Sequence, residues 1–203
     1  MGYPPSGHAP GVSPDAVGSA ATPALALIGF RAALPIIFYF VPLRTFVSIE
    51  NGEVYRLVRS GIDGVFAILA LIFYFVWFAK MYSWVRANRG GTQYSNGMAI
   101  GGWFIPFANF VIPYKAMRDA WRRANNDENS ILVVGWWLTY LLTIVVGYAN
   151  SSFGALFLNR GLDIDLINLI NTLLYWGGVL LQMTTWGLLA LLVQTLTKRI
   201  TAR

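Results

Sequence analysis

Few side chains of this sequence could carry acid–base or nucleophilic chemistry, and they are dispersed along the chain. There is no cysteine, and the one histidine, His8, lies near the N-terminus, so this chain offers no thiol nucleophile, disulfide or intramembrane histidine. The carboxylates are predicted to lie in loops or at the ends of apolar segments, without the pairing that hydrolysis requires. Glu50 and Glu53 resemble an acid pair, but a solvated loop explains them more simply. The sequence therefore predicts no enzyme activity, no cofactor and no metal site. The carboxylates are Asp15, Glu50, Glu53, Asp63, Asp119, Asp127, Glu128, Asp163 and Asp165.

Polar side chains inside the apolar segments could line a path for a solute or an ion. Hydrogen bonds between packed transmembrane helices explain the same residues equally well, so both interpretations stay open. The residues concerned are Asn109, Asn168, Asn171, Thr172, Gln182, Thr184, Thr185 and Gln194.

Arg31 is the charged residue whose position within an apolar run most invites a functional interpretation. It is separated from Arg44 by twelve apolar residues, about 18–20 Å of helix, which is less than the roughly 30 Å thickness of a hydrocarbon core. Either both side chains extend to the nearest membrane surface, or Arg31 is a buried functional charge.

Composition places the chain in a membrane. Hydrophobic residues make up 56% of its 203 residues and charged residues 12%, whereas soluble domains have about 25% charged residues. The net charge of +6 is typical of basic residues that mark one membrane surface, and it does not indicate nucleic-acid binding.

Long uncharged runs predict an all-α integral membrane bundle with four transmembrane helices, at about residues 23–47, 62–83, 131–149 and 168–194. Residues 1–21 contain four prolines and four glycines, which predicts a disordered cytoplasmic tail before a single membrane domain over 22–203. Residues 48–60 are predicted to form a polar loop with a turn at Asn51-Gly52.

The uncharged stretch "GGWFIPFANFVIPY", residues 101–114, is predicted to return to the side that it left. Pro106 and Pro113 interrupt a helix, Asn109 could cap the carbonyls that they free, and Trp103 and Tyr114 favour the membrane interface. Segment 101–124 is thus a broken interfacial or re-entrant hairpin, with a fifth span as the alternative. Without a crossing here, ten basic residues share one side and four lie opposite, with Arg31 near the basic side, which predicts that both termini are cytoplasmic. The ten are Lys80, Arg86, Arg89, Lys115, Arg118, Arg122, Arg123, Lys198, Arg199 and Arg203.

Residues 114–124 are predicted to form an amphipathic helix at the interface. Met117 and Trp121 share an apolar face with Tyr114 and Ala124, whereas the basic residues lie opposite. Asp119 is four residues from both Lys115 and Arg123 and can pair with either. Contact with anionic lipid or a partner is expected for Lys115, Arg118, Trp121, Arg122 and Arg123. A topology anchor alone is the other interpretation.

The same motif carries a family resemblance. The run from Gly97 through "GGWFIPFANFVIPYKAMRDAWR" resembles the signature of the bacterial membrane family called domain of unknown function 4328, with Met98 where that pattern has tryptophan. "WVRANRGG" at 84–91 and the pair Trp136-Trp137 are similar to flanking features of the family, and the resemblance covers about residues 27–197. It implies a multi-span bacterial membrane protein and no particular activity.

These observations predict a non-catalytic protein of the bacterial inner membrane, acting as an accessory, assembly or scaffolding subunit of a larger complex. The alternative is a channel or transporter for ions or small solutes that works as a homo-oligomer. The expected partners are the bilayer, including its anionic lipids, and other membrane subunits or further copies of the chain.

Overall fold

A computed structural model describes residues 11–40, 52–125, 130–157 and 163–202. These residues form helices and turns, and no strand occurs among them. The helices are α1 (Pro14–Phe40), α2 (Gly52–Asn88), α3 (Asn96–Gly101), α4 (Ile112–Ala124), α5 (Ile131–Phe157) and α6 (Ile164–Thr201), with a 3₁₀ turn over Ala108–Phe110. Four of them, α1, α2, α5 and α6, are long and apolar enough to cross a membrane, which confirms the predicted all-α membrane fold.

The N-terminal boundary predicted from the sequence is wrong. Helix α1 begins at Pro14, so residues 14–21 are helical and not part of a tail. Ser13 accepts a hydrogen bond from the Ala16 amide at 3.2 Å, Pro14 occupies the first helical position and Asp15 the first turn. Serine, proline and aspartate in this order are a helix-start signal, and the prolines before it obscured that signal. Residues 1–10 lie outside the described residues.

The predicted loop over residues 48–60 also needs correction. Residues 52–60 form the first turns of α2, which continues without interruption to Asn88, and residues 48–51 lie outside the described part. The basic residues of this stretch suggested a loop, yet a helix that extends beyond the hydrocarbon core carries charged residues where it meets the headgroups. Similarly, α6 is one continuous helix of 38 residues, roughly 57 Å long. Helix α1 is described as far as Phe40, so residues 41–47 of the first predicted span lie outside the described residues.

The described residues fall into two compact units, whose boundary lies within helices α1, α2 and α6. Unit 1 comprises the first turns of α1, the C-terminal half of α2, helices α3 and α4, and the last turns of α6. Its core is built from small residues of α1, among them Ala20 and Ala24, and from buried aromatic residues of α2. Trp77 is fully buried there and donates from Nε1 to Thr197 Oγ1 at 2.9 Å.

Unit 2 comprises the rest of α1, the N-terminal half of α2, helix α5 and most of α6. Helices α5 and α6 approach closely, because a Cβ placed on Gly178 would lie 3.5 Å from Val146. Thr143 and Thr185 meet between these helices with their hydroxyl oxygens 3.3 Å apart. This packing is the hydrogen-bonding role that the sequence left open for Thr185.

Candidate functional site

The motif at residues 101–114 folds as a compact turn between α3 and α4. Ser95 caps α3 by accepting from the Met98 amide at 3.2 Å. Gly102 follows α3, and a Cβ there would lie 2.5 Å from Ile112 Cγ2. Only glycine therefore lets the chain pass this close to the start of α4, where Pro113 occupies the first turn. The segment is not a continuous helix, which confirms the predicted interruption and disfavours a fifth span. Its interfacial or re-entrant position stays a prediction.

An aromatic row on α2 holds this turn in place. Trp103 meets Tyr74 edge-on with ring centroids 5.9 Å apart, and it meets Phe75 in the same way at 5.8 Å. Phe104 lies 5.6 Å from the Phe75 ring. Edge-to-face pairs of this kind stabilise a contact by about 0.5–1.5 kcal/mol each beyond the area that they bury. The predicted motif residue Trp103 therefore anchors the hairpin to α2.

Asn109 does not have the capping role predicted for it. The backbone amides of this segment bond carbonyls within the turn: Ala108 donates to the Pro106 carbonyl at 2.7 Å and Asn109 to the Ile105 carbonyl at 3.0 Å. The Oδ1 atom of Asn109 is buried and has no hydrogen-bond partner in the described part of the chain.

Helix α4 has the amphipathic character predicted for it. Met117 is fully buried, Trp121 is 8% exposed, and the basic side chains of Lys115, Arg118 and Arg122 are exposed. Trp121 therefore packs inside unit 1, which corrects its expected role as a contact for lipid or a partner.

The predicted pairing of Asp119 also occurs. Its Oδ1 accepts from Arg123 Nε at 2.8 Å, and its Oδ2 accepts from the Gln93 amide at 2.8 Å. Arg123 donates from Nη1 to the Arg89 carbonyl at 3.2 Å. Arg123 thus ties α4 to the end of α2, and three of the five expected contact residues, Lys115, Arg118 and Arg122, remain exposed.

Unit 2 contains a second candidate site, which we call the arginine cavity. It has a volume of about 430 Å³ and lies among α1, α2 and α6. Its walls combine apolar side chains, such as Pro35 and Phe38, with the charged side chains of Arg56, Arg59 and Asp63. A volume within about 300–1,000 Å³ and a few convergent polar groups are typical of small-ligand sites.

Arg31 lies behind this cavity and is buried within unit 2. It is 5% exposed and donates from Nη2 to Asp63 Oδ2 at 2.8 Å. With its amide oxygen turned toward the guanidinium, Gln182 accepts from both Nη1, at 3.0 Å, and Nη2. The Trp186 ring lies 6.0 Å from the Arg31 Cζ atom. Of the two interpretations left open for Arg31, the structure supports the buried charge.

Arg59 and Arg56 occupy successive turns on the cavity wall. Arg59 is half-buried, donates from Nη2 to the Tyr175 hydroxyl at 3.1 Å, and lies over the Phe38 ring with its Cζ 5.2 Å from the centroid. Arg56 is exposed and forms no hydrogen bond or ion pair with described residues. The sequence assigned both arginines to a loop and therefore missed this site.

Comparison with known families shows to which family the chain belongs. The family model described as domain of unknown function (DUF4328) matches residues 46–198, well over half of the 203 residues. The chain belongs to the DUF4328 family. No curated protein and no solved structure matches this DUF4328 chain significantly. The family confirms the resemblance seen in the sequence and, together with the four apolar helices, shows a multi-pass membrane protein.

One sequence signal could have revealed the ion pair of this DUF4328 protein. Arg31 and Asp63 each interrupt the apolar character of consecutive predicted spans. The predicted position of Arg31 near the basic side is wrong, because Arg31 binds Asp63, at the other end of the second span, at 2.8 Å. A charge buried in a membrane protein requires a partner, and an arginine and an aspartate on adjacent spans are the simplest pair. Asp63 was instead interpreted as the end of a span, because the helical continuation of α2 before Ile62 was not recognised.

Proposed function

We propose that this DUF4328 protein is a non-catalytic accessory, assembly or scaffolding subunit of a larger complex in the bacterial cytoplasmic membrane. The observation that carries the proposal is an apolar ridge on the hairpin of unit 1. Phe107 is 84% exposed and Phe104 71% exposed. The ridge consists of Phe104, Ile105, Phe107, Phe110 and Val111. Exposed apolar residues gathered on an irregular turn mark a contact surface for another subunit or for the membrane, and we propose the subunit.

Backbone strain at the tip of the ridge supports a contact outside unit 1. Phe107 has a φ of 63°, a left-handed conformation that costs a residue with a side chain about 1–2 kcal/mol. The hairpin does not offset this cost by burying the Phe107 ring, which stays almost fully exposed. A partner that covers the ring would supply the missing stabilisation.

Charge beside the ridge defines the kind of partner. Lys115, Arg118 and Arg122 are exposed on α4, and together with Gln93 and Asp119 they line a shallow pocket of about 160 Å³. A subunit with an apolar groove and an acidic rim would complement this surface. Anionic lipid headgroups would complement the basic residues alone.

A non-catalytic role fits the environment of the carboxylate in the larger cavity. Asp63 is bound to Arg31, which suits a structural ion pair better than a general base. The four spans and the excess of basic residues at the cytoplasmic ends support the proposed placement of both termini in the cytoplasm.

Extraction of the native protein in a mild detergent, followed by determination of the mass and composition of what accompanies it, tests the accessory role. We expect other subunits at fixed stoichiometry. The double variant Phe104→Ala/Phe107→Ala should release them while the chain itself stays folded. Leu169→Ala/Leu173→Ala is the matched control, because it truncates two exposed apolar side chains of α6 and should leave the complex intact.

A pure homo-oligomer, or a complex that survives loss of the ridge, would contradict this proposal. If all subunits stay bound to the ridge variant and only its associated lipid changes, the ridge contacts the bilayer instead.

The arginine cavity favours a second candidate function, a homo-oligomeric channel or transporter. A buried arginine paired with a half-exposed aspartate beside a polar cavity is typical of solute pathways in membranes. Reconstitution in vesicles tests this candidate: flux that falls in Asp63→Asn and persists in Thr185→Val would support it.

A further inference from the structure

The arginine cavity contains two positive charges without a carboxylate partner among the described residues. Arg59 is held by neutral groups, the Tyr175 hydroxyl and the Phe38 ring. Arg56 lines the same cavity one turn earlier on α2 and is exposed at its rim. Both guanidinium groups therefore retain N–H donors for a bound molecule.

The carboxylate on the described wall of the cavity does not neutralise them. Asp63 uses its Oδ2 atom to bind Arg31, and the charges of these two residues cancel. Glu53 lies one turn before Arg56 but does not line the cavity. With Arg31 behind the wall included, Arg31, Arg56, Arg59 and Asp63 carry a net charge of two positive units, which favours an anionic occupant.

Measured along α2, Arg59 lies within the expected headgroup layer and Arg56 lies just beyond its outer edge. The apolar run of α2 begins near Ile62, so Arg59 and Arg56 lie about 4.5 and 9 Å beyond it along the helix axis. The headgroup layer extends roughly 5–8 Å beyond the hydrocarbon core on each side. On the outer surface of the same turns, Leu57 is 72% exposed and Val54 is 45% exposed.

We propose that the arginine cavity binds a phosphate-bearing anion, with Arg56 and Arg59 as its ligands. The planar guanidinium groups match the oxygens of a phosphate ester. Asp63 retains its Oδ1 atom, which can accept a hydrogen bond from a hydroxyl or ammonium group of the same molecule. A cavity of about 430 Å³ accommodates a phosphate together with a glycerol-sized group. The source is either a phospholipid headgroup or a soluble phosphate ester, and the site is independent of the proposed subunit role.

Native mass spectrometry of the full chain, stripped of lipid in a non-ionic detergent, tests this site with phosphatidylglycerol as the probe. We expect one tightly bound lipid on the native sequence and at least about tenfold weaker binding in Arg56→Gln/Arg59→Gln. The matched control is Lys115→Gln/Arg118→Gln, which removes two charges from the basic face of α4 and should retain the tight lipid. Diacylglycerol, which has the chains without the phosphate, should not bind the site.

Competition identifies the source of the phosphate. If glycerol phosphate displaces the lipid, the site accepts soluble phosphate esters; if it does not, the acyl chains are part of recognition. Should the double variant unfold, Arg56→Gln alone changes an exposed rim residue and should still weaken binding, whereas Arg56→Lys should restore part of it. Unchanged binding in folded Arg56→Gln/Arg59→Gln, equal loss in the α4 control, or failure of the native sequence to bind either phosphatidylglycerol or glycerol phosphate would overturn the proposal.

Discussion

The ion pair between Arg31 and Asp63 should respond unequally to the loss of its two partners. The side chain of Arg31 is 6% exposed and that of Asp63 is 39% exposed. Replacement of Asp63 by asparagine leaves a buried guanidinium without a counter-charge. Replacement of Arg31 by methionine leaves a carboxylate that can still reach water in the arginine cavity. The first change should therefore destabilise the protein more than the second.

The structure sets the approximate size of each effect. Removal of one partner of a buried pair costs about 3–5 kcal/mol, and Gln182, whose oxygen faces Arg31, offsets part of that cost. We expect a loss of about 3 kcal/mol in the free energy of unfolding for Asp63→Asn. For Arg31→Met, partial exposure of the remaining charge reduces the loss to about 1–2 kcal/mol. The double variant contains neither charge and should be about 2 kcal/mol more stable than Asp63→Asn alone.

Equilibrium unfolding of the reconstituted protein, by steric trapping or by titration with sodium dodecyl sulfate, measures these free energies. Thr185→Val is a suitable control because it removes one neutral hydroxyl contact with Thr143, which contributes about 0.6 kcal/mol in transmembrane helices. Equal losses for the two single variants, or additive losses in the double variant, would refute the argument that Arg31 depends on Asp63.

Three further predictions concern the hairpin and the topology. Gly102→Ala should lower the free energy of unfolding by about 1–3 kcal/mol, because the added Cβ collides with α4. Gly101→Ala is the control and should not lower it, because nothing lies within 4 Å of the added Cβ. Similar shifts in melting temperature for both variants would contradict this packing. Phe107→Gly should stabilise the isolated chain by about 1 kcal/mol, since it relieves the backbone strain of a positive φ and removes a side chain that is 84% exposed. The same variant should bind a partner subunit more weakly. A lower melting temperature of the isolated variant would contradict the argument from strain. A single cysteine at Gln93 should react with a thiol reagent added to the cytoplasmic side, and one at Asp165 with a reagent added outside. The chain has no native cysteine that would interfere. Labelling of both from one side would reject the proposed topology.

Patterns of apolar and polar residues predicted most of the fold correctly. Uncharged runs predicted the four spanning helices, and the spacing of Met117 and Trp121 predicted the apolar face of α4. These features depend on local periodicity and on the solvent that surrounds each segment. The errors occurred at helix ends, at Pro14 and Gly52, where polar or proline-rich composition obscured the continuation of a helix.

The details of the candidate sites could not be predicted in the same way. Asn109 was expected to cap carbonyls, but its Oδ1 atom is buried without a partner among the described residues. Trp121 was expected at the surface, but it fills the core of unit 1. Each outcome depends on which atoms the folded chain brings within about 3–4 Å, and spacing along one helix does not contain that information.

The sequence by itself determined that this protein is helical, crosses a membrane and belongs to a family with the hairpin motif, because composition and short-range spacing control these properties. Only the tertiary structure decided that Arg31 binds Asp63, 32 residues away, and that Arg56 and Arg59 face a common cavity. A charge in an apolar segment has several possible partners in the sequence, and the packing of α1, α2 and α6 selects one of them. Pairing and cavity formation are properties of contacts between helices, so they become defined when the helices pack.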